Sequence, residues 1–482
     1  MYLNCHTGYS FKFGTLPIKT LFEEAKRCGI HKLALTEINN TSSWLEMLRT
    51  CNDNREFKNG KTKFDKDPYN LDLAVGVEFR NENDFLFITL AKNNKGFEAI
   101  NRFLSHHNRE EKPFPARAPE LEDTLIIYAF GTIEPHRLKQ NEFIGVRKQQ
   151  LIAYAADPMR EEYKHKFILL HPVTFLPPIK WVEKKTKKEK TIWRDFNTHR
   201  LLRSIANNTL LSKLPGHHHA IKEEFMLPKA EIEQQFDSFP ELCKNATLLL
   251  DQCSIECRQG DDKNKKFIKK SLQDDIDYLR NETLKGFEKR YSDRPWVWEK
   301  HIEKELGIIK RKNFISYYLI AYDLILFAKE KGFDFVGRGS GANSTVAYCL
   351  GITNVDPIEL NLYFERFLNE ERVTPPDFDI DFSWDNRDAI YEYLFTKYGY
   401  DHVCLLGTHT TYQDKSIIRE LGKVFGLPKD EIDDLVDNRK LKIDRDHIGE
   451  LIFSYARYIS SKELPANISI HAGGVLITDK PI

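Results

Sequence analysis

The first 175 residues of the chain alternate between short apolar segments and segments with helical spacing. A run of about four to eight apolar residues predicts a strand, and apolar residues three or four positions apart predict a helix. Strands are predicted at 2–5, 32–36, 73–77, 85–91, 125–130, 143–146 and 167–170, and a helix at 16–28. Strands this apolar, with helices between them, are typical of a parallel α/β barrel or sheet.

Polar residues come directly after several of the predicted strands, at His6, Glu37, Glu78 and His171. The C-terminal ends of parallel strands meet at one end of a barrel, and the chemistry of such folds is found there. The pattern therefore predicts a polar site at that end of the barrel.

A glycine-rich loop, Gly-Arg-Gly-Ser-Gly at 337–341, lies between a predicted strand at 333–336 and a predicted helix at 345–350. Asn343 or Ser344 is the expected N-cap of that helix. A strand, a glycine turn and a helix start can form a phosphate cradle, because free backbone N–H groups face the anion. The loop lacks both the Walker motif and the dinucleotide-binding spacing, and close packing of helix on strand explains its glycines about equally well.

The segment 376–382 reads Pro-Asp-Phe-Asp-Ile-Asp-Phe. Alternate side chains of a strand share a face, so Asp377, Asp379 and Asp381 form one face and apolar residues form the other. Like charges on one face repel each other unless something neutralises them. Mg²⁺ binds one or two carboxylates together with substrate phosphates, and two carboxylates can share a pair of ions. The alternative is a solvated strand with no ligand.

Composition narrows the class of protein. Lys+Arg and Asp+Glu both total 72 of 482 residues, so any nucleic-acid surface must be a local patch. No apolar run approaches the ~18 residues of a membrane span. The eight cysteines are scattered, and only Cys253 and Cys257 are close together, which argues against a disulfide scaffold or a zinc site. We expect two to four domains in a reduced, cytoplasmic protein.

Two lysine runs, at 184–190 and 263–270, each hold five lysines. A solvated surface is the favoured interpretation of both, and a nucleic-acid contact is the alternative.

Three segments together resemble the palm of the bacterial DNA polymerase III alpha subunit, a C-family replicative DNA polymerase: 337–341, Tyr-Phe-Glu-Arg-Phe-Leu-Asn at 363–369, and 376–382. The resemblance implies a polymerase-beta-like nucleotidyltransferase palm (α+β) with a helical thumb. It implies that Asp379 and Asp381 are the catalytic aspartates and hold two Mg²⁺ ions. Arg338, Gly339 and Ser340 would bind the incoming nucleotide.

The resemblance extends to residue 1, where the chain resembles the PHP domain, an α/β barrel related to metal-dependent phosphoesterases. Active members begin with His-x-His, and Asn4-Cys5-His6 stands there. Glu37-Ile38 replaces Asp-His, Thr174 ends the segment that matches Asp-x-His, and Glu78 is retained. His6, Glu37 and Glu78 therefore remain as a degenerate metal site. Zinc or manganese is not expected there, because Ile38 cannot ligate a metal, Asn4 is a poor substitute for imidazole, and no full set of about three ligands per ion is evident.

The expected domains are a PHP domain at 1–250, a palm with a helical lead-in at 251–410, a thumb at 411–465 and a return to the palm at 466–482. The family's third catalytic aspartate is expected beyond Ile482. On this basis the chain is expected to be an N-terminal part of a longer polymerase and to be nearly inactive alone.

The expected function is template-directed DNA synthesis by two-metal nucleotidyl transfer, in a main replicase or an accessory error-prone polymerase. The expected partners are primer–template DNA, dNTP, the sliding clamp and other replicase subunits, with a possible proofreading exonuclease at the PHP domain and no membrane. Two alternatives stay open: a PHP-type phosphoesterase or exonuclease, and a noncatalytic docking scaffold.

Overall fold

The computed structural model describes residues 1–52, 56–58, 61–63, 69, 71–182, 189–256, 263–372, 377–437 and 447–482. Most of the first lysine run (184–188), Cys257 and Pro376 lie outside the described residues. The chain divides into two compact units, Met1–Cys257 with His409–Ile468 (unit 1), and Arg258–Thr408 with Ser469–Ile482 (unit 2). The domain limits expected at 250, 410 and 465 stay predictions.

The strands are β1 Tyr2–Cys5, β2 Lys32–Ile38, β3 Glu56–Lys58, β4 Lys61–Lys63, β5 Asp72–Asn81, β6 Asp84–Ala91, β7 Thr124–Ala129, β8 Glu142–Val146, β9 Phe167–Leu169, β10 Ile179–Val182, β11 Glu189–Ile192, β12 Phe335–Arg338, β13 Asp379–Phe382, β14 Val403–Thr411 and β15 Pro465–Ile477. The helices are α1 Ile18–Arg27, α2 Ser43–Asn52, α3 Asn94–Arg109, α4 Leu151–Ala155, α5 Arg194–Ala206, α6 Lys229–Gln235, α7 Pro240–Asp251, α8 Leu272–Arg290, α9 Glu303–Arg311, α10 Ile315–Lys331, α11 Thr345–Leu350, α12 Arg387–Tyr398, α13 Asp414–Phe425, α14 Lys429–Asp437 and α15 His447–Ser461.

Unit 1 is built on a seven-stranded sheet in the order β1-β2-β5-β6-β7-β8-β9. After β9 the chain returns to the first strand: Val173 N donates to Asn4 O at 2.9 Å, and His6 N donates to Val173 O at 2.8 Å. A parallel bridge joins Cys5 to Val173. The sheet therefore curls until the segment after its last strand bonds to its first, and the predicted α/β barrel is confirmed.

The prediction of a wholly parallel sheet is wrong at β6, which runs antiparallel to both β5 and β7. Asn81 pairs with Asp84, so only Glu82 and Asn83 link β5 to β6. A parallel connection needs a crossover of about a dozen residues or more, and two residues allow only a hairpin. Glu82 takes the left-handed backbone conformation of such a turn, with φ 52°.

The apolar interior of the barrel comes from its strands and from α1 and α7. Leu3, Leu33 and Ile127 are fully buried there, and Phe22 of α1 and Leu242 of α7 close the core from outside. Burial of a side chain of this size is favourable by about 1.5–3 kcal/mol. The apolar strands thus both form the sheet and stabilise the unit.

A second core of unit 1 joins the helices α13, α14 and α15 to α5 of the barrel. It contains Leu201, Leu202, Ile417, Leu421, Val436, Ile452 and Ile459. The expected thumb helices therefore pack on the helix that follows β11, within the same compact unit as the barrel.

A buried ion pair lies beside this second core. Lys462 Nζ lies 2.5 Å from Asp195 Oδ1 and donates to Thr15 O at 3.0 Å. Tyr458 Oη donates to the same carboxylate oxygen at 3.0 Å. Burial lowers the pKa of Lys462, and the Asp195 carboxylate opposes that shift. The pair ties the end of α15 to the start of α5 and to the loop before α1.

Unit 2 combines helices with the pair of β12 and β13 and with the greater part of the pair of β14 and β15, as an α+β unit. α8, α9, α10 and α11 enclose a core that includes Leu279, Ile309, Tyr318, Val346 and Phe367. β12 pairs with β13, and β14 pairs with β15. α10 ends at Gly332, whose φ of 70° a glycine adopts without strain.

In the described part of the chain, no helix combines the length and the apolar character that a bilayer crossing requires.

We predict that Lys462→Met lowers the stability of unit 1 by about 3 kcal/mol, because it leaves the Asp195 carboxylate buried without its cation. Thermal and urea unfolding of the full-length protein measure this. Lys423→Met is the matched control, since Lys423 forms an exposed pair with Glu420 on α13 and should cost under about 1 kcal/mol. Equal losses in the two variants would contradict a stabilising role for the buried pair.

Candidate active site

The antiparallel pairing of β12 with β13 sets the geometry of the candidate site in unit 2. Arg338 lies opposite Asp379, and Val336 lies opposite Asp381. Residues opposite each other in an antiparallel pair project from the same face. One face of this pair therefore carries the arginine and the two aspartates that the sequence singled out.

This acidic face is open to solvent. The side chains of Asp379 and Asp381 are 46% and 58% exposed. Arg338 Nε donates to Asp381 Oδ2 at 2.5 Å, and its Nη1 lies 3.8 Å from Asp379 Oδ2. This hydrogen bond and the charges of Asp381 and Asp379 raise the pKa of Arg338. The guanidinium thus neutralises the like charges that the sequence placed on one strand.

The opposite face of β13 is apolar and packed, as the alternation predicts. Phe378 packs edge-on against Tyr318 with ring centroids 5.0 Å apart and lies 5.2 Å from Phe367. Ile380 adds to the same core, and Phe382 joins a smaller core around Leu394. Asp377 lies just before the strand and is 82% exposed. The apolar residues therefore hold the strand in the core, and its carboxylates stay exposed to solvent beside Arg338.

The glycine loop lies against the first of these carboxylates. Gly339 has φ +70°, and a Cβ at this position would lie 2.4 Å from Asp379 Oδ2. A Cβ on Gly341 would lie 2.9 Å from the Phe378 ring. Both glycines are needed for close approach, and they bring Gly339 beside Asp379 and Ser340 directly after it.

The start of α11 differs from the expected phosphate cradle. Ser344 is the N-cap, one of the two residues expected, and its Oγ accepts from Ala347 N at 3.1 Å. The backbone N–H groups of Thr345 and Val346 donate to the buried Glu305 carboxylate at 2.9 and 3.1 Å. The prediction that the helix N-terminus faces an anion ligand is therefore wrong, because a carboxylate of the chain already occupies it.

The residues on the acidic face fit a pair of Mg²⁺ ions. Mg²⁺ needs only one or two carboxylates when substrate phosphates complete its coordination. The described residues contain no group of three or more His, Cys, Asp or Glu side chains placed to hold a metal. With two carboxylates on the face, oxygens of a bound substrate would supply further ligands to such ions.

The barrel of unit 1 carries a second polar cluster, around Glu78. Its Oε2 accepts from Asn4 Nδ2 at 2.7 Å and lies 3.0 Å from His6 Nε2, and its Oε1 pairs with Arg80. Burial opposes ionisation of Glu78, but Arg80, His6 and the Asn4 hydrogen bond outweigh it and lower the pKa of Glu78 far below its usual range. His6 Nδ1 lies 3.2 Å from Thr174 Oγ1.

Glu37 is also buried, and the start of the chain supplies its hydrogen bonds. Thr7 Oγ1 donates to it at 2.5 Å, Ser10 Oγ at 2.6 Å and Thr7 N at 3.1 Å. Glu37 and Glu78 lie within β2 and β5, which run longer than predicted, and not after their ends. His171 instead bonds to the Phe225 carbonyl at 2.9 Å, and burial lowers its pKa.

A metal ion does not fit this barrel cluster. Both oxygens of Glu78 already have partners, and one of these partners is a guanidinium that repels a second cation. The Arg80 and Glu78 side chains are only 13% and 1% exposed, so the pair is shielded from solvent. Arg80 thus neutralises the charge of Glu78 in the place where a metal ion would otherwise do so.

Sequence reasoning missed two residues of these sites. Arg80 stands two positions after Glu78 in a strand, so their shared face was available as a signal. Glu305 lies on α9, about 40 residues before the helix it caps, and no local pattern indicates that contact.

Comparisons with known proteins find similarity in two parts of the chain. Residues 3–136 match the model of the PHP domain, and residues 277–482 match the model of the bacterial DNA polymerase III alpha NTPase domain. The predicted resemblance of the chain to these families is confirmed.

The relatives are DNA polymerases by name. The DNA polymerase III subunit alpha of Bacillus subtilis is 26% identical over all of this chain and 45% of its own length. The error-prone DNA polymerases of Symbiobacterium thermophilum and Pseudomonas paraeruginosa are 26% and 27% identical over all of this chain and 48% and 47% of theirs. The chain spans about half the length of the curated relatives it matches.

We predict that Arg80→Met destabilises unit 1 by about 3–5 kcal/mol, because Glu78 stays buried and loses its cation. Glu78→Gln combined with Arg80→Met should recover a large part of this loss, since it removes the charge that is left alone. Urea unfolding of the full-length protein measures both.

Arg102→Met is the control for this pair. Arg102 forms an exposed pair with Glu98 on α3 and should cost under about 1 kcal/mol. An Arg80→Met variant as stable as Arg102→Met would show that Arg80 does not compensate Glu78.

Proposed function

We propose that the chain provides the palm of a template-directed DNA polymerase, in which Asp379 and Asp381 carry transfer of a dNMP to a primer 3′ hydroxyl. The observation that carries the proposal is the acidic face of β13, where two solvent-open carboxylates lie beside Arg338 and the glycine loop. The names of the relatives support it, since they include polymerase III alpha subunits and error-prone polymerases.

Asp379 and Asp381 would hold two Mg²⁺ ions on the face they share. When bound, such ions lower the pKa of the attacking hydroxyl and stabilise charge on the leaving pyrophosphate. Asp379 and Asp381 lose little stabilisation when they bind metal ions, because their contact with Arg338 is exposed and solvent screening makes such contacts weak.

The nucleotide is bound by the loop beside Asp379. Gly339 offers backbone without a side chain, and Ser340 follows it with a hydroxyl. Arg338 reaches both carboxylates, and it can exchange them for triphosphate oxygens when these arrive, because a guanidinium binds phosphate through several donors at once. The three residues thus orient the triphosphate next to the carboxylates.

Partners follow from the same chemistry and from the named relatives. The substrates are primer–template DNA and a dNTP, and we propose that the sliding clamp and other replicase subunits associate with the longer protein in the cytoplasm. A proofreading exonuclease is a further partner proposed for the PHP barrel. The relatives include DNA polymerase III alpha subunits and error-prone DNA polymerases, so we propose either a replicase or an error-prone role for the polymerase.

We predict that Asp379→Asn and Asp381→Asn each abolish primer extension by the full-length protein, because each removes one of the two charged ligands that β13 supplies to the metal ions. Asp377→Asn is the control, since Asp377 belongs to the same motif and lies just before β13. It should extend primers at a rate close to wild type. Extension within tenfold of wild type by either of the first two variants would refute the assignment.

We predict that Arg338→Ala raises the KM for dNTP about tenfold and changes the Kd for primer–template DNA less than twofold, because it removes a phosphate donor and no duplex contact. Steady-state extension and DNA-binding titrations separate the two effects. Arg387→Ala, at an exposed arginine of α12, should change neither. A weakened DNA affinity with an unchanged KM would instead place Arg338 on the template–primer.

A further inference from the structure

We propose that Glu305 is a positioning residue for the loop 337–344, and that its buried carboxylate keeps Gly339 and Ser340 beside Asp379 for nucleotide binding. This inference rests on the proposed polymerase function and assigns a part to a residue outside the acidic face. Glu305 lies on α9, and its side chain is fully enclosed within unit 2.

The Glu305 carboxylate binds the end of the loop through both of its oxygens. Oε1 accepts from Thr345 N at 2.9 Å, and Oε2 accepts from Val346 N at 3.1 Å and from Ser344 Oγ at 2.8 Å. With the Ser344 cap on Ala347 N, the first three N–H groups of α11 are all bonded. A helix start of this kind leaves its first amides without partners inside the helix, so Glu305 supplies them from another element.

Glu305 also belongs to a buried chain of hydroxyl groups. Tyr318 Oη of α10 lies 3.1 Å from Ser344 Oγ, and Ser344 donates onward to Glu305. Three helices, α9, α10 and α11, therefore meet at one serine. Ser344 ends the glycine loop, so its position fixes where the loop enters α11.

The other end of the loop is fixed by the strand pair. Arg338 lies in register with Asp379, and Thr353 Oγ1 donates to the Gly337 carbonyl at 3.0 Å. Between these anchors, residues 339–343 form a single 3-10 turn. Because this segment is short, its position is set by the residues at its two ends. A shift of Ser344 would therefore move Gly339 and Ser340 relative to Asp379.

Burial of the Glu305 carboxylate lowers the stability of the fold, which argues that this residue does more than fill space. No ion pair to Glu305 is found in the described part of unit 2, and its hydrogen bonds only partly offset burial, which raises the pKa of Glu305 to about 7. An apolar residue would fill such a place at lower cost. The carboxylate holds three groups in one place, Ser344 Oγ and the N–H groups of Thr345 and Val346, which an apolar residue cannot do.

The test is steady-state primer extension by the full-length protein carrying Glu305→Ala, Glu305→Gln or Ile309→Ala. Ile309 is fully buried on the same helix, and its side chain cannot form a hydrogen bond to the loop. Ile309→Ala is therefore the control for a loss of stability alone. We expect Glu305→Ala to raise the KM for dNTP by tenfold or more, since small misplacements of a binding group have large effects. The Kd for primer–template DNA should stay within about twofold.

Glu305→Gln keeps an acceptor for Thr345 N and places an NH₂ group against Val346 N–H, so its KM should lie between wild type and Glu305→Ala, about threefold raised. If Glu305→Ala does not fold, Glu305→Gln decides alone. An unchanged KM in the Glu305 variants, or a rise no larger than in Ile309→Ala at the same loss of thermal stability, overturns the inference. The proposed function fails separately, when Asp379→Asn still extends primers.

Discussion

Neutralisation of strand carboxylates by a nearby arginine is the constraint on which both sites of this chain depend. Glu78 on β5 and the pair Asp379 and Asp381 on β13 each face an arginine of the same or the adjacent strand. Both sites contain an arginine–carboxylate ion pair, and they differ in how deeply that pair is buried. Arg80 and Glu78 are shielded from solvent, whereas Arg338 and its partners are about half exposed.

This difference decides which site can exchange its cation. Breaking a buried pair leaves an uncompensated charge in a medium of low dielectric constant, and the cost is several kcal/mol. Breaking an exposed pair leaves charges that water solvates, so a divalent ion with phosphate oxygens can take the place of the guanidinium. The Glu78 carboxylate of the barrel is therefore neutralised by the chain itself, whereas the acidic face of unit 2 is open to the metal and nucleotide that we propose it binds. The barrel also contributes the surface of α5 on which α13 and α15 pack.

Local patterns predicted the parts of the structure that depend on neighbours in sequence. The alternation at 376–382 predicted the exposed aspartates and the packed Phe378, and the glycine loop ends at Ser344, one of the two residues expected. The seven strands of the barrel sheet all lie where apolar runs predicted them. The direction of β6 does not follow from apolar content, which does not distinguish a hairpin from a crossover; the two-residue turn between β5 and β6 decides it. The Glu305 cap was missed because it joins elements far apart in the chain, and no residue near Thr345 indicates it.

Anomalous diffraction from crystals of the full-length protein grown with Mn²⁺ and a dNTP tests the contrast between the two sites most directly. Mn²⁺ prefers the same oxygen ligands as Mg²⁺ and can be located by its own scattering. We expect Mn²⁺ peaks within coordinating distance of Asp379 and Asp381, and none within reach of His6, Glu37 and Glu78. Mn²⁺ bound in the barrel, with none at the two aspartates, would contradict the assignment of both sites.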